Sequence, residues 1–547
     1  MKMGIWALAG LTAAGTLSLA ATAAVGAPAA QPKPAQAARP ALSARQIVDQ
    51  AAEAMGGKAR LQAVKTLKVW GYGQGAYQDG AGHIDPNPLA PFKYTNINEQ
   101  QRWIDLEHNR MHVQQRNSNN FVMSAAAIMT GAARPNQNFD GSASPAGVSW
   151  NVAQGAPRRT SARDTRARRV DMLGNPLTVI RTALDPRSKL SNARRVGNEQ
   201  VIDMVTPAGD AISFAVDART HLPAWMRWTA PHPNFGDVTY TTHFIGYQRF
   251  GGWLQLPSGY TTISDFRNVR QTQIYIDQYQ IDASLGDLAA PAAVASAATP
   301  PDAATVTAQV IPVAKGIWYI KGAGNSTLFE FADHTVLFEA YGSEASALAV
   351  IKAARATVPN KPLTHVVLSH YHIDHTGGLR AAVSEGLTMI TNRANADYVR
   401  EVTGRTARMF PDALERSGRK VKVEVVDDHM VLQDATQRVD LYKVINNNHY
   451  ANGLIAWSPT AKTVSEGDLV DEGWDIVWLG DSYPDTVAYW KLDIQRDLPV
   501  HGNITDWPKV IELLKKQAKG AQALCERGEK AGLNVQGCPL TMTMDKY

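Results

Sequence analysis

From about residue 66 to 287, apolar and polar residues alternate with a period near two. TLKVWGYGQGAY, NRMHVQQRN, AISFAVDA, AWMRWTA, GDVTYTTHFIGYQRFGGWLQLPSGYTTISDF and QTQIYIDQYQID each read as strands, with turns at Gly and Pro. The alternation puts aromatic side chains on one face and predicts a mostly antiparallel β domain. A helix is predicted ahead of it at about 44–64, with Ile47, Val48, Ala51, Ala54 and Met55 on one stripe and Gly56 and Gly57 interrupting it.

The pattern changes after 308. QVIPVAKGIWYIKGAGNSTLFEFADHTVLFEA reads as a three-strand meander, followed by a helix at about 343–357. KPLTHVVLSH reads as a short buried strand and GGLRAAVSEG as a helix opened by glycines. VKVEVVDD and stretches near 431–445 and 453–457 read as further strands, and 506–526 as a C-terminal helix. Strands alternating with helices predict layered sheets covered by helices, so the fold class is α+β. Residues 28–43 and 288–308 are Ala/Pro-rich and read as linkers. They mark off a β domain at 44–287 and a layered domain at 309–547, and a chain of 547 residues suits two domains.

The run SHYHIDHTGG at 369–378 packs His370, His372, Asp374 and His375 into six positions. Three imidazoles and a carboxylate at this density point to metal. Nitrogen and oxygen donors without thiolate suit zinc, and less often iron or manganese. The donors lie on a loop at the end of a rigid strand, where functional groups collect in layered sheets. His370 and His372 are two apart and share a face of extended backbone. Asp374 and His375 follow the break in the strand, where the chain turns them toward a second point.

H-x-H-x-D-H followed by T-G-G resembles the signature of the metallo-β-lactamase superfamily of hydrolases, and the resemblance covers about 310–510. The family's pattern continues with a histidine, an aspartate after glycine and a last histidine. Here His449 stands in VINNNHYANGL, Asp468 in SEGDLV and His501 in LPVHGN. The resemblance implies an αββα sandwich with two zinc ions at one edge between the sheets. It implies that His370, His372 and His449 hold one ion, that Asp374, His375 and His501 hold the other, and that Asp468 bridges them. The activity implied is hydrolysis of an ester, thioester, lactone or lactam by a metal-bridging hydroxide, with Asp374 and Asp468 as catalytic carboxylates. The family's β-lactamases usually lack the bridging aspartate, so Asp468 leans toward its thioesterase and lactonase branches.

The chain also departs from the family. Pro-Gly often precedes the middle histidine and Thr-Pro-Gly follows it, whereas here the neighbours are Asn446–Asn448 and Tyr450, Ala451, Asn452 and Gly453. His429, in VVDDHM, is the alternative middle ligand, and His449 is preferred because SEGDLV follows it at the family's spacing. His365 reads as structural. Tyr371 and Tyr450 flank the donors; packing is their default role, and donation to an oxyanion is the alternative. Two other functions stay open at this stage. One is a mononuclear iron enzyme that oxidises sulfur compounds, as some relatives with a similar first motif do. The other is a binding protein for a lipid or other apolar ligand. The leading helix and long aromatic-bearing strands are similar to the half-barrels of periplasmic lipoprotein carriers, which implies an apolar ligand on the concave face. A domain that merely shields the metal site is the plainer reading.

Composition narrows the setting. The net charge of +5 is small for this length and does not argue for nucleic acid, so the expected partner is a small-molecule substrate. GAPRRTSARDTRARRVD concentrates Arg158, Arg159, Arg163, Arg166, Arg168 and Arg169; without interleaved aromatics it reads as a solvated loop. Residues 1–27 carry Lys2, then a small apolar stretch with A-x-A sites at Ala21–Ala23 and near Ala27, and read as an export signal to the periplasm or beyond. No later stretch is long and apolar enough to span a membrane. Cys525 and Cys538 are the two cysteines, and an exported chain makes a disulfide between them the expectation.

Overall fold

Ser43 sets the first helix. Its hydroxyl accepts from the Gln46 N–H while the Gln46 side chain accepts from the Ser43 N–H, a capping box that satisfies two otherwise orphaned donors. The helix runs Ala44–Met55 and buries Ile47, Val48, Ala51, Ala52 and Met55, so Ala52 rather than Ala54 completes the stripe. Gly56, at φ +133°, breaks it, and a Cβ there would meet the Trp253 carbonyl oxygen at 2.7 Å. A separate short helix, Lys58–Ala63, follows. The computed structural model describes residues 42–77, 83, 85–119, 132–153, 155–303, 305–447, 449–473 and 482–532. The expected export signal, most of the first linker and Cys538 (with it the expected disulfide) lie outside the described residues.

The strands read from alternation are present: Thr66–Ala76, Arg110–Asn119, Ala211–Asp217, Pro223–His232, Gly236–Phe250, Leu254–Ser264 and Arg270–Ile281. They belong to one 14-stranded sheet among the described residues, in which neighbouring strands pair antiparallel. Thr66–Ala76 lies between Tyr94–Asp105 and Arg270–Ile281. Alternation did not reveal Tyr94–Asp105, Asn136–Asp140, Val148–Ala153, Ala156–Arg159, Lys189–Val196 or Glu199–Val205, where amide and charged residues break the pattern. One end of the sheet packs Leu67, Ile104, Met111, Phe214, Met226 and Leu256 against the first helix and against Pro176–Leu184.

The arginine run is not a solvated loop. Most of it is the helix Ala162–Met172, started by Ser161, whose hydroxyl accepts from the Asp164 N–H. Arg168 is buried and donates to the Asn138 and Trp150 carbonyls at 3.0 and 2.7 Å. Arg166 and Arg169 both pair with the buried Asp210 carboxylate. These guanidinium groups fasten the helix to the sheet, because a buried cation is tolerated only when its donors are satisfied.

The second half is layered as expected: helices, sheet, sheet, helices. Seven strands form the first sheet, in the order Gln309–Ala314, Ile317–Lys321, Ser326–Glu330, Thr335–Phe338, Leu363–Val367, Thr388–Asn392 and Val423–Val426. The meander therefore has four strands, not three, because a turn at Gly316 splits the first apolar run. Six strands form the second sheet, from His429–Gln433 to Thr505–Asp506. Tyr319, Phe329, Phe338, Leu441, Ala456 and Leu498 fill the space between the sheets. The outer face of the first sheet packs on Glu344–Thr357 and Leu379–Ser384. The outer face of the second packs on Tyr483–Trp490 and Trp507–Lys530. Among the described residues no helix is long and apolar enough to cross a membrane.

The two halves meet at a seam built from Phe235, Phe266, Tyr371 and Tyr398, with the Phe235 and Phe266 rings stacked 3.9 Å apart. Arg405 crosses it, donating to the Phe235 carbonyl at 2.9 Å, the Asp237 carbonyl at 2.6 Å and the Asp265 carboxylate at 3.0 Å. Arg405→Ala would leave those acceptors unpaired, at a cost of about 2–4 kcal/mol. Urea denaturation should show the midpoint falling accordingly.

Candidate metal centre

Four segments deliver the seven predicted side chains to one place. The strand Leu363–Val367 ends just before Ser369, whose N–H donates to the Glu339 carboxylate at 2.6 Å. His370 follows, and His372 caps the helical turn Ile373–Thr376, which swings Asp374 and His375 away from it. His449 lies between Arg438–Lys443 and Leu454–Ser458, where the Asn447 side chain accepts from the His449 N–H at 2.7 Å and the Tyr450 N–H at 3.1 Å. Asp468 follows Thr463–Glu466 and has φ +60°, a conformation that non-glycine residues hold only under constraint. His501 follows Arg496–Pro499.

The seven form two groups that share Asp468. His370, His372, His449 and Asp468 make one, and Asp374, His375, Asp468 and His501 the other, with the donor atoms of each group within 4.8 Å of one another. In the first, His372 Nδ1 is 3.1 Å from His370 Nε2 and 3.0 Å from His449 Nε2, and His449 Nε2 is 2.9 Å from Asp468 Oδ2. In the second, Asp468 Oδ1 is 3.1 Å from His375 Nε2 and 2.9 Å from His501 Nε2, while Asp374 Oδ2 is 3.6 Å from each of these histidines. The two oxygens of Asp468 thus face different groups.

A cation fits these donors. Each neutral imidazole has one N–H and one lone pair. The far nitrogens are engaged elsewhere: His372 Nε2 donates to the His83 carbonyl at 3.2 Å, and His370 Nδ1 sits 3.0 Å from Ser369 Oγ. Their near nitrogens then present lone pairs to a common point, which suits a metal and suits hydrogen bonding poorly. Oδ2 of Asp374 is the oxygen that faces the two histidines, and Oδ1 is buried without a hydrogen-bond partner.

Charge divides the two groups. Burial, aided by the His375 charge, lowers His370 to about 3. Burial likewise lowers His372 and His449, so the histidines of the first group are held neutral and ready to ligate. In the second, burial opposes the charge on His375, but Asp468 and Asp374 outweigh it and hold the imidazolium well above its usual range. His501 is raised against burial to about 9 by its contacts with Asp374 and Asp468. Burial works to raise Asp468, yet His375 and the hydrogen bonds from its histidine neighbours hold it well below the usual carboxylate value.

Residues 319–431 match the family model described as the metallo-beta-lactamase superfamily. The second half of this chain carries a metallo-beta-lactamase superfamily domain. Solved structures similar to it include the metallo-beta-lactamase from Pontibacter korlensis, at 16% identity over 39% of this chain and 99% of that one, with a TM-score of 0.31. FIM-1 from Pseudomonas aeruginosa, in its mono-zinc form, is 16% identical over 40% of this chain and 96% of its own, with a TM-score of 0.31. The enzyme from Hirschia baltica is 15% identical over 39% and 97%, with a TM-score of 0.30. No curated protein matches the chain.

The metallo-beta-lactamase domain leaves other candidates outside the cluster. His429 pairs with Asp440 at 2.9 Å and stacks on Tyr442, and His365 bonds Thr364. Both tyrosines pack: Tyr371 Oη is 3.1 Å from His83 Nδ1, and Tyr450 Oη donates to the Gly467 carbonyl at 2.6 Å. Sequence reasoning missed several neighbours of the domain's donors. Glu339 is fully buried beside His375, and Tyr341 Oη donates to Asp374 Oδ2 at 3.2 Å. The signal for Glu339 was a carboxylate ending an apolar strand in VLFEAYG. His83, from the other half of the chain, carries no local signal.

Two outcomes follow. A Cβ at Gly467 would lie 2.3 Å from Ser369 Oγ and 3.4 Å from His370 Nδ1. Gly467→Ala should therefore displace His370, lower bound metal by elemental analysis, and cost about 1–3 kcal/mol of stability. In metal-stripped protein, the His501 pairing stabilises fully below its unfolded pKa of 6.5 and is lost as pH rises through about 9. The Tm of stripped protein should fall between about pH 7 and 10, while that of zinc-loaded protein stays level.

Proposed function

We propose that the metallo-beta-lactamase domain is a dinuclear metal-dependent hydrolase acting on an ester, thioester, lactone or lactam. The observation that carries this reading is the placement of Asp468, with one carboxylate oxygen toward each histidine group. His370, His372 and His449 would hold one ion, Asp374, His375 and His501 the other, and Asp468 both. A bound pair lowers the pKa of water from ~15.7 toward ~7 and polarises a carbonyl. The protein's own groups then have defined tasks. The imidazoles fix the positions of the cations, and the His83 carbonyl and Ser369 hold two of those rings in the tautomer that ligates. Asp374, anchored by the Tyr341 hydroxyl, has a second carboxylate oxygen available to take a proton and return it to the leaving group. No serine or cysteine nucleophile enters.

Zinc is the ion the donor set favours, because imidazole and carboxylate without thiolate match its preferences. A single-iron oxidising enzyme would need only one of the two groups. Elemental analysis separates the readings: two ions per chain fits the hydrolase, and one iron excludes it. Asp468→Ala should abolish turnover of the active ester or lactone in a chelator-controlled screen and lower metal content toward one ion. His429→Ala should leave both within about twofold. If His429→Ala empties the site and His449→Ala does not, the first ligand set is wrong.

A further inference from the structure

The large sheet of the first half lines a second feature, a half-open cavity of about 930 Å³ that the hydrolase reading leaves unused. Its walls are built by one switch repeated across neighbouring strands. On Arg110–Asn119 the inward positions run Met111, Val113, then Gln115 and Asn117. On Tyr94–Asp105 Ile104 gives way to Arg102 and Gln100, and on Gly236–Phe250 Phe244 gives way to Thr242 and Tyr240. The apolar ends pack on the two helices of the first core. The polar stretches of the same face are left facing a chamber where a continuous hydrophobic core would otherwise lie.

The polar groups are ordered in advance. The Tyr260 hydroxyl donates to the Gln100 side chain at 2.8 Å, Gln100 donates to Gln115 at 2.9 Å, and Gln115 to Asn117 at 2.8 Å. The Thr242 and Thr262 hydroxyls are 2.8 Å apart. A primary amide has two donors and two lone pairs, and this chain of bonds uses one of each on Gln100 and Gln115. The remainder is capacity for a guest. Arg102, Arg134, Arg166 and Arg168 line it against one carboxylate, Asp171, which pairs with Arg102 at 2.8 Å, while Arg166 pairs with Asp210; with Trp228, Tyr240 and Tyr260 beside these groups, the walls are part cationic and polar, part aromatic. Such walls accept neutral or weakly anionic groups and disfavour a bare alkyl chain, whose burial would strip water from these amides without replacing its hydrogen bonds.

The chamber lies beside the metal centre. Ala76 and Tyr240 line it and pack against the cluster that contains Tyr371 and touches Ile373, the residues between and beside the ligand histidines. Tyr77 lines it too, and besides burial the nearby Asp374 and Asp468 carboxylates push its hydroxyl well above the usual range.

We infer that the chamber receives the part of the substrate remote from the bond cleaved, and that this part is dense in hydroxyl and amide groups, as a saccharide or a short peptide is. The inference rests on the hydrolase reading for its role but not for its binding chemistry. It replaces the expectation of an apolar ligand on the concave face.

Calorimetry on the metal-stripped full chain tests it with three probes: N,N′,N″-triacetylchitotriose, N-acetyl-trialanine amide and the uncharged alkyl probe 1-decanol. One of the two polar probes should bind and 1-decanol should not, and which polar probe binds identifies the source. Gln115→Leu should weaken that binding about tenfold, and the near-isosteric Thr262→Val, which preserves packing, several-fold. 1-Decanol binding more tightly than both, no binding of either polar probe, or unchanged affinity in both variants would overturn the inference. Binding without turnover of any ester by zinc-loaded protein would uphold the chamber and remove the hydrolase reading alone.

Discussion

A single carboxylate holds the second half of this protein to its purpose. Asp468 is buried, ionised and set on backbone of left-handed twist, and each of these is unfavourable alone. It is tolerated because four histidines from three chain segments close on it at 2.9–3.5 Å. The surrounding loop is pinned accordingly. Tyr450 ties down the carbonyl of Gly467, and the Glu466 carboxylate accepts from the Leu469 N–H at 2.6 Å. Gly467 is required for contact rather than for torsion, since any side chain there would occupy the place of Ser369.

The donors were legible in the sequence because their chemistry is dense and their types are rarely gathered by chance. The layered architecture was legible because apolar runs of strand length alternate with helical ones. The groups that steady the donors were not. Glu339 sits in an otherwise apolar stretch and is joined to His375 only by the fold, and His83 reaches His372 from 289 positions away. Local patterns carry no record of such meetings.

The first half was harder to read, for a physical reason. Alternation reveals a strand when its inward side is apolar. On Tyr94–Asp105 and Asn136–Asp140 amides and charges occupy inward positions, so the strands were hidden by the groups that now line the chamber. The arginine run misled in the opposite way. Its charge density suggested solvent, while its main counterion, Asp210, lies some forty residues on and is itself buried.

The contact between the His83 carbonyl and His372 joins two matters usually kept apart. A ring steadied from across the seam ligates best when the halves are docked, so ion loading and docking become thermodynamically linked. An ion that favours the docked form adds RT ln(1 + [ion]/Kd) to its stability, about 4 kcal/mol at a thousandfold excess over Kd. An ion held by His372 would in this way also strengthen the contact between the two halves.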